Sequence, residues 1–341
     1  MEEDLPGLPL DTARPGCLLV GNGLNRAGGG RSWEDLLVGL SQLSAEAPPA
    51  GRGAGGQGGR GRGRAKAAAP YEVDLEKPLP LLYEELLQRS PAAGTKLDRA
   101  FLSAIQAHFA TPEPSPLHEA VFTTGIRHIL TTNYDRTLEA AGARRGLQAV
   151  SGRGLVRETR YSLFRRSDVG AHVLWHIHGE VSSRDSIMLG YDHYAGCLQA
   201  IRQYVTGRST YKEYNRGALA ARLVRGLDGI DSWLDLFFAT DVHIVGFGLE
   251  FEEMHLWWLL TCRARLLKGG LEIPGNVTYY QARRPGVRVP EAEARKLQVL
   301  AALRVNVVEV PLEKGDWKGH YAEVLGLVRA AARKRSRRPG P

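Results

Sequence analysis

An amide and a carboxylate two positions apart, Asn133 and Asp135, follow the β-branched and apolar run Ile129-Leu130-Thr131-Thr132. Where a strand hands over to a helix, such a pair can hydrogen-bond sugar hydroxyls or orient a water molecule. Asp135 can equally serve as the N-cap of a helix through Leu138, a role that Asp favours. A second apolar run, Val173 to Ile177, ends in His178-Gly179. An imidazole at a strand end titrates near neutrality and suits general-base work. His176 shares a strand face with His178 by the period of two. No third ligand stands at a recognisable spacing to make them a metal pair, and His176 reads as structural.

Two Gly-containing turns complete the set. Gly21-Asn22-Gly23-Leu24-Asn25 follows the run Cys17 to Val20. Its glycines allow a tight turn and close approach to a phosphate, and the next helix offers free N–H groups. The fingerprint Gly-x-Gly-x-x-Gly is incomplete, because Arg26 takes the third glycine's place. An ordinary strand-to-helix turn explains the segment equally well. Gly246-Phe247-Gly248-Leu249 follows Val242 to Val245 and precedes Glu250-Phe251-Glu252-Glu253, acids that complement a helix dipole. Ligands bind at the carboxyl edge of open α/β sheets, so these strand ends are expected to build one pocket.

The elements that must position these residues alternate in period. Ser32-Trp33-Glu34-Asp35 resembles a capping box opening a helix through Leu36, Leu37 and Leu40. Apolar spacing of three and four predicts helices over 80–88, 97–109 and 117–123, and one from about Arg136. Strands are expected over 173–177 and 186–189, and a long helical region over 191–239. The last third alternates regularly: strand 242–245, helix 251–267, strand 277–281, helix 291–303, strand 305–310 and a closing helix 319–332. Trp257-Trp258-Leu259-Leu260 reads as core. Such alternation implies a parallel sheet with helices on both faces.

Composition bounds the rest. With 341 residues, 43% of them hydrophobic, the chain can bury one large core or two modest ones. No run of about 18 apolar residues could span a bilayer, and the acidic, Pro-containing start Met1 to Asp11 is unlike a signal peptide, so a cytoplasmic protein without membrane attachment is expected. Cys17, Cys197 and Cys262 never approach Cys-x-x-Cys spacing, which leaves no zinc ribbon or disulfide framework to read. The net charge of +8 is local. Arg52, Arg60, Arg62, Arg64 and Lys66 carry five positive charges, and Arg329, Arg333, Lys334, Arg335, Arg337 and Arg338 six, leaving −3 on the remainder. Nucleic acid is therefore not an expected partner, except through these two segments. Residues 46–70 are almost all Gly, Arg, Pro and Ala, with no aromatic or large aliphatic residue to bury, so a disordered insertion is expected there, with tails at 1–15 and 329–341.

The ordered set of motifs resembles the sirtuin-like domain of bacterial NAD-consuming proteins, including phage-defence effectors. Thr132-Asn133-Tyr134-Asp135 is similar to the family's Thr-x-Asn-x-Asp motif, Gly21 to Asn25 to its first Gly-rich turn, His178-Gly179 to its His-Gly motif, and Gly246-Phe247-Gly248 to its later Gly turn. The resemblance spans roughly residues 16–282 and implies a Rossmann-like, deoxyhypusine-synthase-like NAD fold over 16–335, with helical elements at 71–125 and 191–239. It implies NAD as substrate, bound by Gly21, Asn22, Gly23, Asn25, Thr132, Gly246 and Gly248. Asn133 would orient the nicotinamide ribose or the attacking water, His178 would act on ribose hydroxyls or on that water, and Asp135 would hold the loop or the ribose. Protein-deacylating sirtuins carry a zinc module with two Cys-x-x-Cys pairs. None stands between His178 and Gly246, so no zinc is expected and water is favoured as the nucleophile: an NAD⁺ hydrolase, with a non-catalytic NAD or ADP-ribose sensor as the alternative. Such an activity needs restraint, and an activating partner protein, a phage trigger and a homo-oligomer are all compatible with the resemblance. Asn25 departs from the Ser that many sirtuins carry.

Overall fold

The fold, taken from a computed structural model, is described for residues 8, 16–30, 33–46, 73–74, 77–89, 95–110, 114–153, 160–227 and 229–336. The expected insertion beyond Glu46, the capping Ser32, nearly all of the N-terminal tail and residues 337–341 lie outside them.

Four short, wholly buried strands form the centre of the sheet: β1 (Cys17–Val20), β2 (His128–Thr131), β5 (His172–His176) and β6 (Val242–Val245). Near-continuous apolar runs of this kind belong to strands covered on both faces. β7 (Val277–Arg283) and β8 (Val305–Pro311) extend the sheet on one side, and β3 (Ala149–Arg153) and β4 (Arg166–Val169) on the other. The order is β3-β4-β5-β2-β1-β6-β7-β8. Pairing is parallel from β5 through β8, whereas β3 and β4 join antiparallel. The edge pair was not expected from the sequence. It is short, polar and irregular between Val150 and Arg153, so it carries little of the period-two signal that marks a half-buried strand.

Helices fill the connections. α1 (Gly23–Gly28), α2 (Trp33–Glu46), α3 (Leu79–Arg89), α4 (Thr95–His108) and α5 (Pro116–Val121) lie between β1 and β2, and α6 (Thr137–Arg144) follows β2. α7 (Tyr191–Val205), α8 (Leu219–Arg225) and α9 (Trp233–Ala239) precede β6. The helical region expected over 191–239 is thus three helices, broken where Gly207, Gly217 and Gly226 take positive φ. α10 (Met254–Lys268), α11 (Glu291–Ala302) and α12 (Trp317–Ser336) complete the alternation. α12 runs on into the basic segment, placing Arg329 and Arg335 within its last turns, where Arg335 pairs with Asp241 at 2.6 Å. No helix among the described residues is long and apolar enough to cross a membrane.

One expected strand is absent. Residues 186–189 do not join the sheet; a 3-10 turn, Arg184–Ser186, leads into a loop that folds back on the end of β5, with Met188 N–H donating to His178 O at 3.0 Å. Gly179 permits this contact. Its φ is +89°, and a side chain there would collide with the Ser186 carbonyl.

Alternation along each strand feeds two cores. Cys17 and Leu19 face a core with Trp175, Trp233, Phe237, Leu256 and Leu259, whereas Leu18 and Val20 face one with Leu117, Val121, Leu138, Val324 and Val328. A third core joins Leu36 and Leu40 of α2, Leu86 of α3 and Phe101 and Ile105 of α4 to Tyr134, Ile187 and Leu189. The last three belong to loops at strand ends, so this core seats α2 to α4 over the carboxyl edge of the sheet.

Candidate active site

Register brings the expected segments together. Val20 of β1 lies opposite Thr131 of β2 and Val245 of β6, and Thr131 lies opposite His176 of β5. The four strands therefore end in one row, and Gly21, Thr132, Ile177 and Gly246 leave the sheet side by side. A cavity of about 720 Å³ opens at this edge. Its wall takes Asn22 and Gly23 from the turn after β1, Thr132 and Tyr134 after β2, His178 after β5, and Gly246, Phe247, Gly248, Glu250, Glu252 and Glu253 after β6. Tyr194 of α7, Tyr280 of β7, Lys296 of α11 and Trp317 and Tyr321 of α12 extend it, and Leu79, Pro80 and Tyr83 of α3 border it from the helical side.

The glycines of the two turns serve one another. Gly23 N–H donates to Gly246 O at 2.7 Å, and Gly21 N–H to Val245 O at 3.0 Å. A Cβ on Gly21 would lie 2.5 Å from Gly246 O, and one on Gly23 would strike the Tyr321 hydroxyl and the Gly246 backbone. Lys296, whose side chain is buried, donates to Gly248 O at 2.8 Å, as Tyr279 does at 3.3 Å. The two loops thus form one rigid floor.

Asn25, Asn133 and Asp135 converge beneath that floor and are not among the residues lining the cavity. Asn25 is the hub. Its Nδ2 donates to Asp135 Oδ2 at 2.7 Å, and its Oδ1 accepts from Asn133 Nδ2 at 3.3 Å. The same oxygen meets His118 Nε2 at 2.8 Å. Ser115 N–H donates to His118 Nδ1, so the His118 proton sits on Nε2 and points at Asn25. Burial lowers the His118 pKa, in keeping with this neutral ring. Asn133 Nδ2 also reaches Gly21 O at 3.4 Å. The other oxygen of Asp135 accepts the N–H of Thr137, the first residue of α6, at 2.8 Å; the N-cap position itself falls on Arg136, one residue later than the sequence suggested. His118, 93 positions from Asn25, gave no sequence signal.

The two histidines part company, because β5 ends at His176 and strand alternation does not extend to His178. His176 Nδ1 donates to Asn133 O at 2.9 Å while Nε2 meets Glu139 Oε1 at 3.2 Å. Burial opposes its charge, but Glu139 and Glu180 outweigh that and raise its pKa to about 9. It is an imidazolium under the Asn133 loop. His178 borders the cavity, where burial lowers its pKa to about 3. Its Nε2 stands 3.1 Å from Nε2 of His255 and 3.4 Å from Glu253 Oε2. His255 is fully buried, and burial followed by the proximity of His178 keeps it neutral. Two neutral imidazoles in this contact share one proton. Glu253 is pushed the other way: burial, then Glu252 and Glu250, raise its carboxyl to about 8.

α10 begins at Met254, three residues later than expected, so Glu253 ends the preceding loop, makes no capping hydrogen bond with its side chain and borders the cavity. Reading it as a dipole complement missed this. The available signal was its place, with His255, just beyond the second Gly turn.

Residues 127–255 match the model of the SIR2-like domain family. The chain carries a SIR2-like domain. The match begins one residue before β2 and ends on His255, taking in Thr132 to Asp135, His178-Gly179, the Gly246 turn and Glu253; Gly21 to Asn25 lie outside it. No curated protein matches the chain. SIR2-like domains bind NAD, and this one fits such a ligand. Its cavity is of the size that small-molecule sites occupy, roughly 300–1,000 Å³. Trp317 and Tyr321 stack upon each other along its wall, with centroids 5.8 Å apart, and a buried carboxyl oxygen, Glu253 Oε2, has no hydrogen-bond partner. The cysteines of the SIR2-like domain and its flanks stand apart in β1, α7 and α10.

Proposed function

We propose that the chain is a cytoplasmic NAD⁺ hydrolase that releases nicotinamide and ADP-ribose. The observation that carries this reading is the meeting of Thr132, His178, the Gly246 turn and Glu253 around one cavity in a SIR2-like domain. Cleavage of the nicotinamide–ribose bond develops positive charge on the sugar, as glycoside cleavage does. Glu253, with the neutral ring of His178 beside it, brings to the cavity wall a carboxyl that can accept from ribose hydroxyls and water and, when ionised, face such charge. Asn133 and Asp135 act from below, holding the turn after β1 and the start of α6 at fixed positions. A role as an NAD-depleting defence effector, with an activating partner or phage trigger, rests on the family resemblance.

Purified protein incubated with NAD⁺ is expected to release nicotinamide and ADP-ribose, read by chromatography, with His178→Ala lowering turnover while the fold persists. Intact NAD⁺ with measurable affinity would favour the second reading, a sensor that holds NAD or ADP-ribose without cleaving it. One observation speaks for that reading: the amide of Asn133 is engaged by Gly21 and Asn25 and does not line the cavity.

A further inference from the structure

We propose that Glu253 accepts the proton of the attacking water, and that His178 and His255 are positioning residues that hold its carboxyl at the reacting sugar; this rests on the hydrolase reading above. Glu253 lies between the second Gly turn and α10, with backbone angles outside the helix (φ −72°, ψ 48°). Its side chain, 15% exposed, lies 3.4 Å from His178 Nε2 and 3.8 Å from His255 Nδ1. Both His255 Nδ1 and Glu253 Oε2 are buried polar atoms without a hydrogen-bond partner. An unpaired buried carboxyl oxygen costs stability unless something arrives to use it. Its ionic contacts among the described residues are these two imidazoles, and neither carries charge at neutral pH. The protein thus leaves Oε2 without a partner, in a carboxyl that also hydrogen-bonds Tyr194 and belongs to a residue bordering the cavity.

The neighbours decide which group is the base. The ring of His178 is packed edge-on against Tyr194 and Phe247, and its Nε2 is engaged with His255. An imidazole that stays neutral down to about pH 3 is a weak proton acceptor. Facing Glu253 are His178 from the loop after β5, His255 of α10, Tyr194 of α7, Tyr134 from the loop after β2, and Glu250 and Glu252 of its own loop. No cation is in this set, so the carboxyl titrates near the working pH, where general bases are most effective. In the step itself the water oxygen bonds C1′ of the nicotinamide-bearing ribose as the C1′–N bond breaks. The bonding pair leaves with nicotinamide, which departs neutral, and the water proton passes to Glu253 and then to solvent. Ionised Glu253 also faces the positive charge that develops on the sugar.

The deciding experiment compares wild type with Glu253→Gln for nicotinamide release across pH 6 to 9 and for NAD⁺ affinity by calorimetry. Wild-type turnover is expected to rise with pH as the carboxyl ionises. The Gln variant should lose about 10²- to 10⁴-fold in kcat, the usual range for a general base, and lose that rise while binding NAD⁺ within a few-fold of wild type. Added formate should restore part of the turnover of Glu253→Ala. His255→Gln should shift the pH profile with a smaller loss. An active wild type beside a Gln variant with unchanged turnover and profile overturns the assignment of the base and leaves the hydrolase reading intact. A wild type that binds NAD⁺ without cleaving it overturns both. Should the Gln variant fail to fold, Glu253→Asp decides: reduced turnover with the pH rise retained supports the proposal, and undiminished turnover overturns it.

Discussion

At the scale of single residues, Asn25 shows how one amide can order a site without facing its ligand. Its oxygen accepts two hydrogen bonds, from His118 and Asn133, and its nitrogen satisfies Asp135. All four residues are buried, so Asn25→Ala leaves a carboxylate oxygen, an imidazole N–H and an amide short of partners. Each such orphan costs about 1–3 kcal/mol. A lower urea midpoint at unchanged m-value is the expected result, together with weaker nicotinamide release. Unaltered stability would mean that water replaces the amide and that the hub is not what fixes these loops. In the sequence Asn25 was legible as the end of the first Gly-rich turn, a residue that the resemblance gave to NAD, and as a departure from Ser. What makes it a hub is a histidine on α5 that no local pattern connects to it.

At the scale of elements, the site is a consequence of parallel register. Strands of four or five residues ending in one row set their next residues at a common edge, and three of these, Gly21, Thr132 and Gly246, belong to the motifs that the sequence had singled out. The βαβ alternation after Val242 was likewise readable, because each helix and strand there carries its own periodicity. The antiparallel edge strands and the fold-back of 184–189 were not, since tertiary contacts set them: Ser186 closing on Gly179, and β4 pairing with β5. The meeting of the two Gly turns can be tested directly. Gly23→Ala should destabilise the protein markedly, because its Cβ meets the Tyr321 hydroxyl and the Gly246 backbone together. Tyr321→Phe removes the hydroxyl but not the backbone, which lies 2.8 Å away. Thermal melting of the double variant should therefore show partial recovery. Full recovery would mean that the turns have room to separate.

At the scale of the whole molecule, the carboxyl edge of the sheet holds buried titratable groups, His176, His178 and Glu253 among them. These groups give the stability a definite pH dependence. His176 is raised to about 9 against its ordinary value of 6.5, so between those values the folded chain holds a proton that the unfolded chain has released. Stability is fully present below about 6.5 and is lost as pH rises through 9. Glu253, raised from 4.5 to about 8, acts in the same direction over its own interval. His178 acts oppositely, for its pKa is lowered to about 3, and its neutral burial adds stability as pH rises from 3 to 6.5. Below about 6.5 the two directions offset. Above it His178 has no further effect, and Glu253 and His176 fall together. Melting temperature is therefore expected to decline from about pH 6.5 to 9, with the portion above pH 8 belonging chiefly to His176. In His176→Gln that last portion should flatten, while Glu253→Gln should flatten the part below pH 8. A wild-type profile level across this range would show that neither group holds its proton in the folded state, removing the imidazolium from beneath the Asn133 loop and the titrating carboxyl from the cavity wall.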